Sequence, residues 1–200
     1  MTAPVEVWVE FASTYSYPAA MTVERDAAAR GVALAWRPFL LGPVFAAQGW
    51  TDSPFNLQPA KGRYMWRGLE RICDGLGLPF RRPPGFPQHT VTAARLALVG
   101  LSHGWGAAFI RAAFAAEFGE GGDLSDEALI ARLVAECGAD PDAALAEARS
   151  APVTAALRAQ TDRAMALGLF GAPSFTVDGE LYWGHDRMAA ALDHAAKGPP

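Results

Sequence analysis

The chain has 200 residues, 51% of them hydrophobic, 19% charged and 10% aromatic. That is enough for one domain, or one domain with a large insertion, and it excludes intrinsic disorder. The 17 basic and 21 acidic side chains give a net charge of −4 with no basic run, which speaks against nucleic acid as a partner.

Val5, Val7, Val9 and Phe11 share one parity, with Glu6 and Glu10 on the other and Trp8 between them, so the first segment is predicted to be a strand. Ala20, Val23 and Ala27 then follow helical spacing, with Pro18 in the first turn and Gly31 as the stop. Val32–Trp36 is a second strand, so the chain opens with a βαβ unit. Residues 37–58, rich in Pro, Gly and aromatics, are expected to be a long irregular connection. Helices are predicted near Pro59–Leu76, Thr90–Leu101 and Trp105–Glu117, separated in part by a proline-rich bridge at 79–88. Ser125 is expected to cap a helix ending at Glu136, and Asp140-Pro141 to open one ending near Arg149. The next helix runs from about Val153 to Leu167.

The pattern then returns to β. Ser174–Val177 and Glu180–Trp183 flank Asp178-Gly179, a strong hairpin signal. A last helix covers about Arg187–Ala196, and Lys197-Gly-Pro-Pro is tail. Without the helical block the order is βαβ–αββα. The expected fold is therefore α/β, a thioredoxin-like mixed four-stranded sheet with a large all-helical insertion. Residues 1–45 and 155–200 would form the thioredoxin-like domain and 46–154 the insertion.

Cys73 and Cys137 form no CxxC pair, and His89, His103, His185 and His194 are scattered, so no metal site is expected. No apolar stretch reaches ~18 residues without a charge, so no membrane contact is expected. Met1–Glu6 has neither a basic nor a hydrophobic leader region, and a cytoplasmic location is expected.

Four segments are candidates for chemistry. The first strand-to-helix turn contains Ser13-Thr14-Tyr15-Ser16, whose serines have the spacing of a thioredoxin-type cysteine pair. Serines cannot form a disulfide, so dithiol exchange is excluded. A hydroxyl at a helix N-terminus can instead stabilise the thiolate of a bound ligand; the alternative is that both serines are helix caps. Ala172-Pro173 precedes the third strand, either as an ordinary trans bond or as a cis one that frees the Ala172 backbone to pair with a peptide-like ligand. In Trp183-Gly184-His185-Asp186-Arg187, Asp186 suits a helix cap or a ligand ammonium group, and His185 is a surface histidine or a base. Lys61, Tyr64 and Met65 are expected on one helical face, as pocket wall or as a solvated stripe.

Together the motifs Phe11-Ala-Ser-Thr-Tyr-Ser-Tyr17, Pro59-Ala-Lys-Gly-Arg-Tyr-Met65 with Leu69-Glu-Arg71, Phe86-Pro87, Phe170-Gly-Ala-Pro173 and Trp183-Gly-His-Asp-Arg187 carry a resemblance over nearly the whole chain. The chain resembles the 2-hydroxychromene-2-carboxylate isomerase family, related to kappa-class glutathione transferases in the DsbA-like branch of the thioredoxin superfamily. The resemblance implies glutathione as cofactor, a small aromatic acid as substrate and a homodimer. It implies that Ser13 contacts the glutathione sulfur, with Tyr15, Ser16, Ala172, Pro173, Trp183, His185 and Asp186 completing the thiol site. Trp50, Asn56, Lys61 and Tyr64 would face the substrate, with Phe55 and Trp66 as further walls. The sequence departs from the family pattern at Thr14, where proline is common, and at His89 and His185, where asparagine is common. A kappa-like transferase or peroxidase, or a thiol-binding module without turnover, are the alternatives.

Overall fold

The computed structural model describes residues 4–198. Residues 1–3, where the leader reading begins, and Pro199 and Pro200 of the expected tail lie outside the described residues. Strand β1 (Val5–Val9), helix α1 (Ser16–Ala28) and strand β2 (Leu34–Pro38) form the expected βαβ unit, with β1 parallel to β2 and Val7 opposite Trp36. Helices α2 (Leu41–Ala47), α3 (Pro54–Leu57), α4 (Pro59–Leu76), α5 (Val91–His103) and α6 (Gly106–Phe114) follow. α6 runs into a π-helical turn, Ala115–Gly119. Then come α7 (Glu127–Glu136), α8 (Pro141–Ala148) and α9 (Ala151–Ala166). Strands β3 (Ser174–Val177) and β4 (Glu180–Trp183) lead through a short 3-10 turn, His185–Arg187, into α10 (Met188–Lys197).

The sheet order is β2-β1-β3-β4, with β3 antiparallel to both neighbours. This is the mixed four-stranded thioredoxin-like sheet expected from the sequence. Asp178 and Gly179 both take positive φ (49° and 85°), the requirement for a two-residue turn matched to strand twist.

Both faces of β1 are covered. Val5, Val7 and Val9 enter the main core with α1, α4, α5 and α6 residues. Trp8 enters a second cluster with Phe39, Val44, Ala164 and Leu169, and its Nε1 donates to Thr176 Oγ1 at 3.1 Å. Beside it Glu6 accepts from Arg37 at 2.9 Å and from Arg163 at 2.7 Å. Burial pushes the Glu6 carboxyl up, but the two guanidinium groups and Thr176 outweigh it and hold it below its ordinary value. At the other end of β1, Phe11 stacks on Phe114 at 5.0 Å and Tyr17 on Phe118 at 5.9 Å. Such pairs contribute about 0.5–1.5 kcal/mol each beyond area burial, and they fix the π turn against the β1–α1 turn.

Several boundaries differ from expectation. Residues 37–58 are not irregular throughout: α2 and α3 form there, because Pro43 and Pro54 fall in first turns, where proline is tolerated. Helix α2 is held by Val44, which packs on Trp8. β1 stops at Val9, because the chain turns and the Ser13 N–H donates to the Glu10 carbonyl at 3.0 Å. The cap of α7 is Asp126, whose carboxylate accepts from the Ala128 N–H at 2.9 Å. Ser125 instead donates to Asp123 at 2.6 Å. α6 ends at Phe114 rather than Glu117, because its last residues widen into the π turn. Between α5 and α6 the backbones almost touch: a Cβ on Gly106 would lie 2.2 Å from the Leu101 nitrogen.

Candidate active site

The β1–α1 turn, the loop and helices between residues 40 and 55, Lys61, residues 86–91, residues 170–172 and Trp183 enclose a cavity of about 960 Å3. Its walls are mainly aromatic and aliphatic, including Phe45, Trp50, Phe55, Phe86 and Phe170. Lys61 is the lysine or arginine of the lining, and Glu10 and Asp52 are its acids.

Ser13 sits in this cavity with its side chain almost buried. Its hydroxyl donates to the Ala172 carbonyl at 2.8 Å. The Ala172–Pro173 bond is cis, as is Phe86–Pro87. The first turn and the segment before β3 therefore meet, as the sequence reading required. One half of that reading changes: the Ala172 carbonyl is taken by Ser13. Neither serine caps α1. Tyr15 holds the cap position without a side-chain bond, and Ser16 lies inside the helix, buried, with its hydroxyl oxygen unpartnered. Tyr15 lines the cavity, and burial raises its phenol above the ordinary value. A hydroxyl can rotate its hydrogen towards a new acceptor, so Ser13 can release Ala172 and donate to an anion at the N-terminal end of α1.

The structure gathers Ser13, Tyr15, Ala172, Trp183, Trp50 and Lys61 around the cavity. It leaves other expected residues outside it. Asn56 is exposed on α3 and donates to the Asp52 carboxylate at 3.1 Å. Tyr64 is 71% exposed whereas Met65 is fully buried, so the two do not share a face. At 100° per residue, Tyr64 and Met65 fall on opposite sides of the direction of Lys61. Trp66 is not a wall: it packs on Phe80 and Phe86, with the Arg82 guanidinium 4.6 Å from its ring centroid. Pro173 sits behind Ala172 rather than on the lining. His185 and Asp186 also lie off the lining. Burial lowers the His185 imidazole below its ordinary value, against the pull of Asp186 and Asp26. Asp186 does not cap α10, whose cap position is Arg187; its carboxylate is exposed, 3.7 Å from the Arg187 guanidinium.

Trp183 forms the rim. Its ring packs edge-on against Phe170 at 4.9 Å, and a Cβ on Gly171 would lie 2.4 Å from its Nε1. Glycine at 171 is thus what lets the indole lie over the chain beside Ser13's partner.

Two carboxyls were missed as site residues. Glu10 lines the cavity at 6% exposure, accepts from Thr90 Oγ1 at 2.7 Å and from the Ala12 N–H, and is pushed up to about 7 by burial. Glu117, in the π turn, is fully buried and neither of its oxygens has a partner. Burial first, then the charges of Glu10 and Asp123, raise it well above the ordinary carboxylate range. Parity groups Glu10 with Glu6 and Trp8, away from Val5, Val7 and Val9, so no local pattern signalled its burial. No cluster of three or more metal-type ligands occurs among the described residues, and no helix there is long and apolar enough to cross a membrane.

Residues 4–196 match the model of the DSBA-like thioredoxin domain. The chain belongs to that family. It is 28% identical over 189 residues to a 2-hydroxychromene-2-carboxylate isomerase of Sphingobium xenophagum, covering 94% of this chain and 95% of that protein. Among solved structures, a 2-hydroxychromene-2-carboxylate isomerase superposes with a TM-score of 0.88 at 23% identity, over 98% of this chain and 95% of the other. A probable DsbA oxidoreductase of Streptomyces coelicolor gives 0.80 at 20% identity, over 98% and 91%. The cytosolic disulfide reductase DsbM of Pseudomonas aeruginosa, solved with GSH, gives 0.66 at 18%, over 98% and 96%. The sequence likeness supports an isomerase, in agreement with the resemblance seen in the sequence, and the structural likenesses show the DsbA-like fold.

Proposed function

We propose that this DSBA-like protein is a glutathione-dependent isomerase of an aromatic conjugated oxo-acid of the 2-hydroxychromene-2-carboxylate type. The observation that carries the reading is the Ser13 hydroxyl, buried at the N-terminal end of α1 and opening onto a large aromatic cavity that also holds Lys61. The donor set fits a small thiol. A hydroxyl and the N-terminal N–H groups of α1 favour an anionic sulfur. Neither cysteine lines the cavity, and burial raises the Cys73 thiol to about 11, so the chain brings no competing nucleophile.

Bound there, glutathione supplies a nucleophilic thiol that adds to a conjugated double bond, lets the resulting single bond rotate, and leaves again. Ser13 holds the sulfur by donating its hydroxyl hydrogen. Ala172 presents backbone groups beside it, and Tyr15 and Trp183 close the sides. Lys61 receives the substrate carboxylate, and Trp50, Phe55 and Phe170 exclude water from the aromatic ring. His185, Asp186 and Asn56 lie off the cavity lining in the free protein, and contact with glutathione through them is part of the proposal. A homodimer and a cytosolic setting, where glutathione is abundant, complete it; light scattering tests the dimer.

The test is conversion of 2-hydroxychromene-2-carboxylate to its trans-benzylidenepyruvate product with and without glutathione. Conversion only with glutathione supports the reading, and conversion without it overturns the thiol mechanism. A stable released conjugate would make the protein a kappa-like transferase instead. Glutathione binding without turnover of a broad panel would make it a binding module.

A further inference from the structure

The cavity contains an acid that the reaction as described does not use. Glu10 directly follows β1 and forms the floor of the turn that carries Ser13, and the Ser13 N–H donates to the Glu10 backbone carbonyl. Its carboxyl is held in place by Thr90, at the N-terminus of α5, and by the Ala12 N–H. Behind it the π turn inserts Glu117, fully buried and unpartnered, between Phe114 and Phe118, which are themselves stacked on Phe11 and Tyr17. A widened helical turn of this kind often marks a functional site. Two carboxyls close enough for the charge of one to act on the other do not both ionise in an apolar interior.

We propose that Glu10 is the proton acceptor and donor of this cavity, working as a carboxylate beside a Glu117 that stays protonated. The inference rests on the thiol-isomerase reading. The proton that a bound thiol gives up passes to the Glu10 carboxylate, the electron pair stays on sulfur, and the same proton returns when the sulfur leaves, so nothing is oxidised or reduced. The groups facing Glu10 divide the labour. Burial disfavours charge on Glu10, and Glu117 behind it, itself raised by burial and by the charges of Glu10 and Asp123, is the carboxyl of the pair that keeps its proton. Thr90 and Ala12 favour it by donating hydrogen bonds. Lys61, His89 and Asp52 belong to the cavity walls. The balance leaves Glu10 titrating where a base must titrate to work near neutrality: burial has moved it to about 7, where loss and gain of a proton are equally easy.

The experiment is carbon-13 NMR of ligand-free protein labelled at the glutamate carboxyl carbons, with Glu10→Gln and Glu117→Gln to assign the two resonances. In Glu10→Gln the amide oxygen can still accept from Thr90 and Ala12, and Glu117→Gln replaces an unpartnered protonated carboxyl by a neutral group of the same shape, so both variants should fold. One resonance is expected to titrate with a midpoint near pH 7 and to vanish in Glu10→Gln. The Glu117 resonance is expected to titrate at higher pH than that of Glu10, whose charge acts on it. In parallel, kcat/KM for the thiol-dependent isomerisation should rise with pH up to about 7 and then level. Glu10→Gln should lose that limb and fall about 100-fold or more on the plateau, and Glu10→Asp should restore a limb at a shifted pH. A Glu10 midpoint near the ordinary carboxylate value of about 4.3 overturns the inference, as does a limb unchanged in Glu10→Gln. Absence of any thiol-dependent turnover in the wild type would overturn the functional reading instead, and the NMR midpoint then decides the proton assignment alone.

Discussion

The Ser13 hydroxyl and the Ala172 carbonyl, 159 positions apart in the chain, share a hydrogen bond of 2.8 Å at the floor of the cavity. The bond sets the hydroxyl where an incoming sulfur can compete for it. Ser13→Ala should therefore weaken binding of reduced glutathione about tenfold to a hundredfold, the range of a hydrogen bond to a charged group. Global stability should fall by only ~1 kcal/mol. Calorimetric titration and thermal melts separate the two, and a variant that binds as tightly as the wild type would remove Ser13 from the site.

The two buried carboxyls make stability depend on pH. Both have folded-state values raised above their unfolded ones, so the folded protein binds more protons near neutrality than the unfolded chain. Their contribution is complete below about pH 4.3 and is lost as pH rises. For Glu10 the loss ends at about 7 and is on the order of 3 kcal/mol. Glu117, raised well above the ordinary carboxylate range, adds a loss in the same direction. Urea unfolding between pH 5 and 9 should show the fall in the wild type, and Glu117→Gln should flatten its upper part. A more stable wild type at the alkaline end would contradict this.

Lys61 is the lysine or arginine of the cavity lining. Lys61→Met keeps the apolar stem and removes the charge, so KM for a carboxylate substrate should rise about tenfold while kcat changes less. Added salt should narrow the difference from the wild type, because exposed charges are screened. Equal KM values at low salt would place the carboxylate elsewhere.

Gly171→Ala tests the rim. The added methyl would lie 2.4 Å from Trp183 Nε1, so the indole must leave its place against Phe170. A change in Trp183 fluorescence, measured as the difference from a Trp183→Phe background, should accompany weaker ligand binding. Unchanged emission and affinity would mean that the rim adapts freely.

Much of this was legible before folding. The hairpin at Asp178-Gly179 and helix α4 have the expected bounds, because turn chemistry and an apolar stripe act within a few residues. Ser13 and Ala172 could be set opposite each other from the expected thioredoxin-like sheet, and Trp183 joined them through the family resemblance. What failed depends on neighbours that a local pattern does not contain. Glu10 has the parity of a surface residue, yet α5 and the π turn cover it. Met65 and Tyr64 differ by one position and face core and solvent respectively. Asp126 displaced Ser125 as a cap because both are good acceptors and the helix begins one residue later.

The neighbouring strands β1 and β3 are the first and the third in sequence, with the entire helical block between them. During synthesis the ribosome therefore releases Ser13 long before its partner Ala172 exists. The βαβ unit can pair early, but the central strand keeps one open edge until nearly the whole chain has emerged. Chemistry at this site is thereby a property of finished molecules only, and a nascent or truncated chain offers neither a cavity nor a place for a thiol.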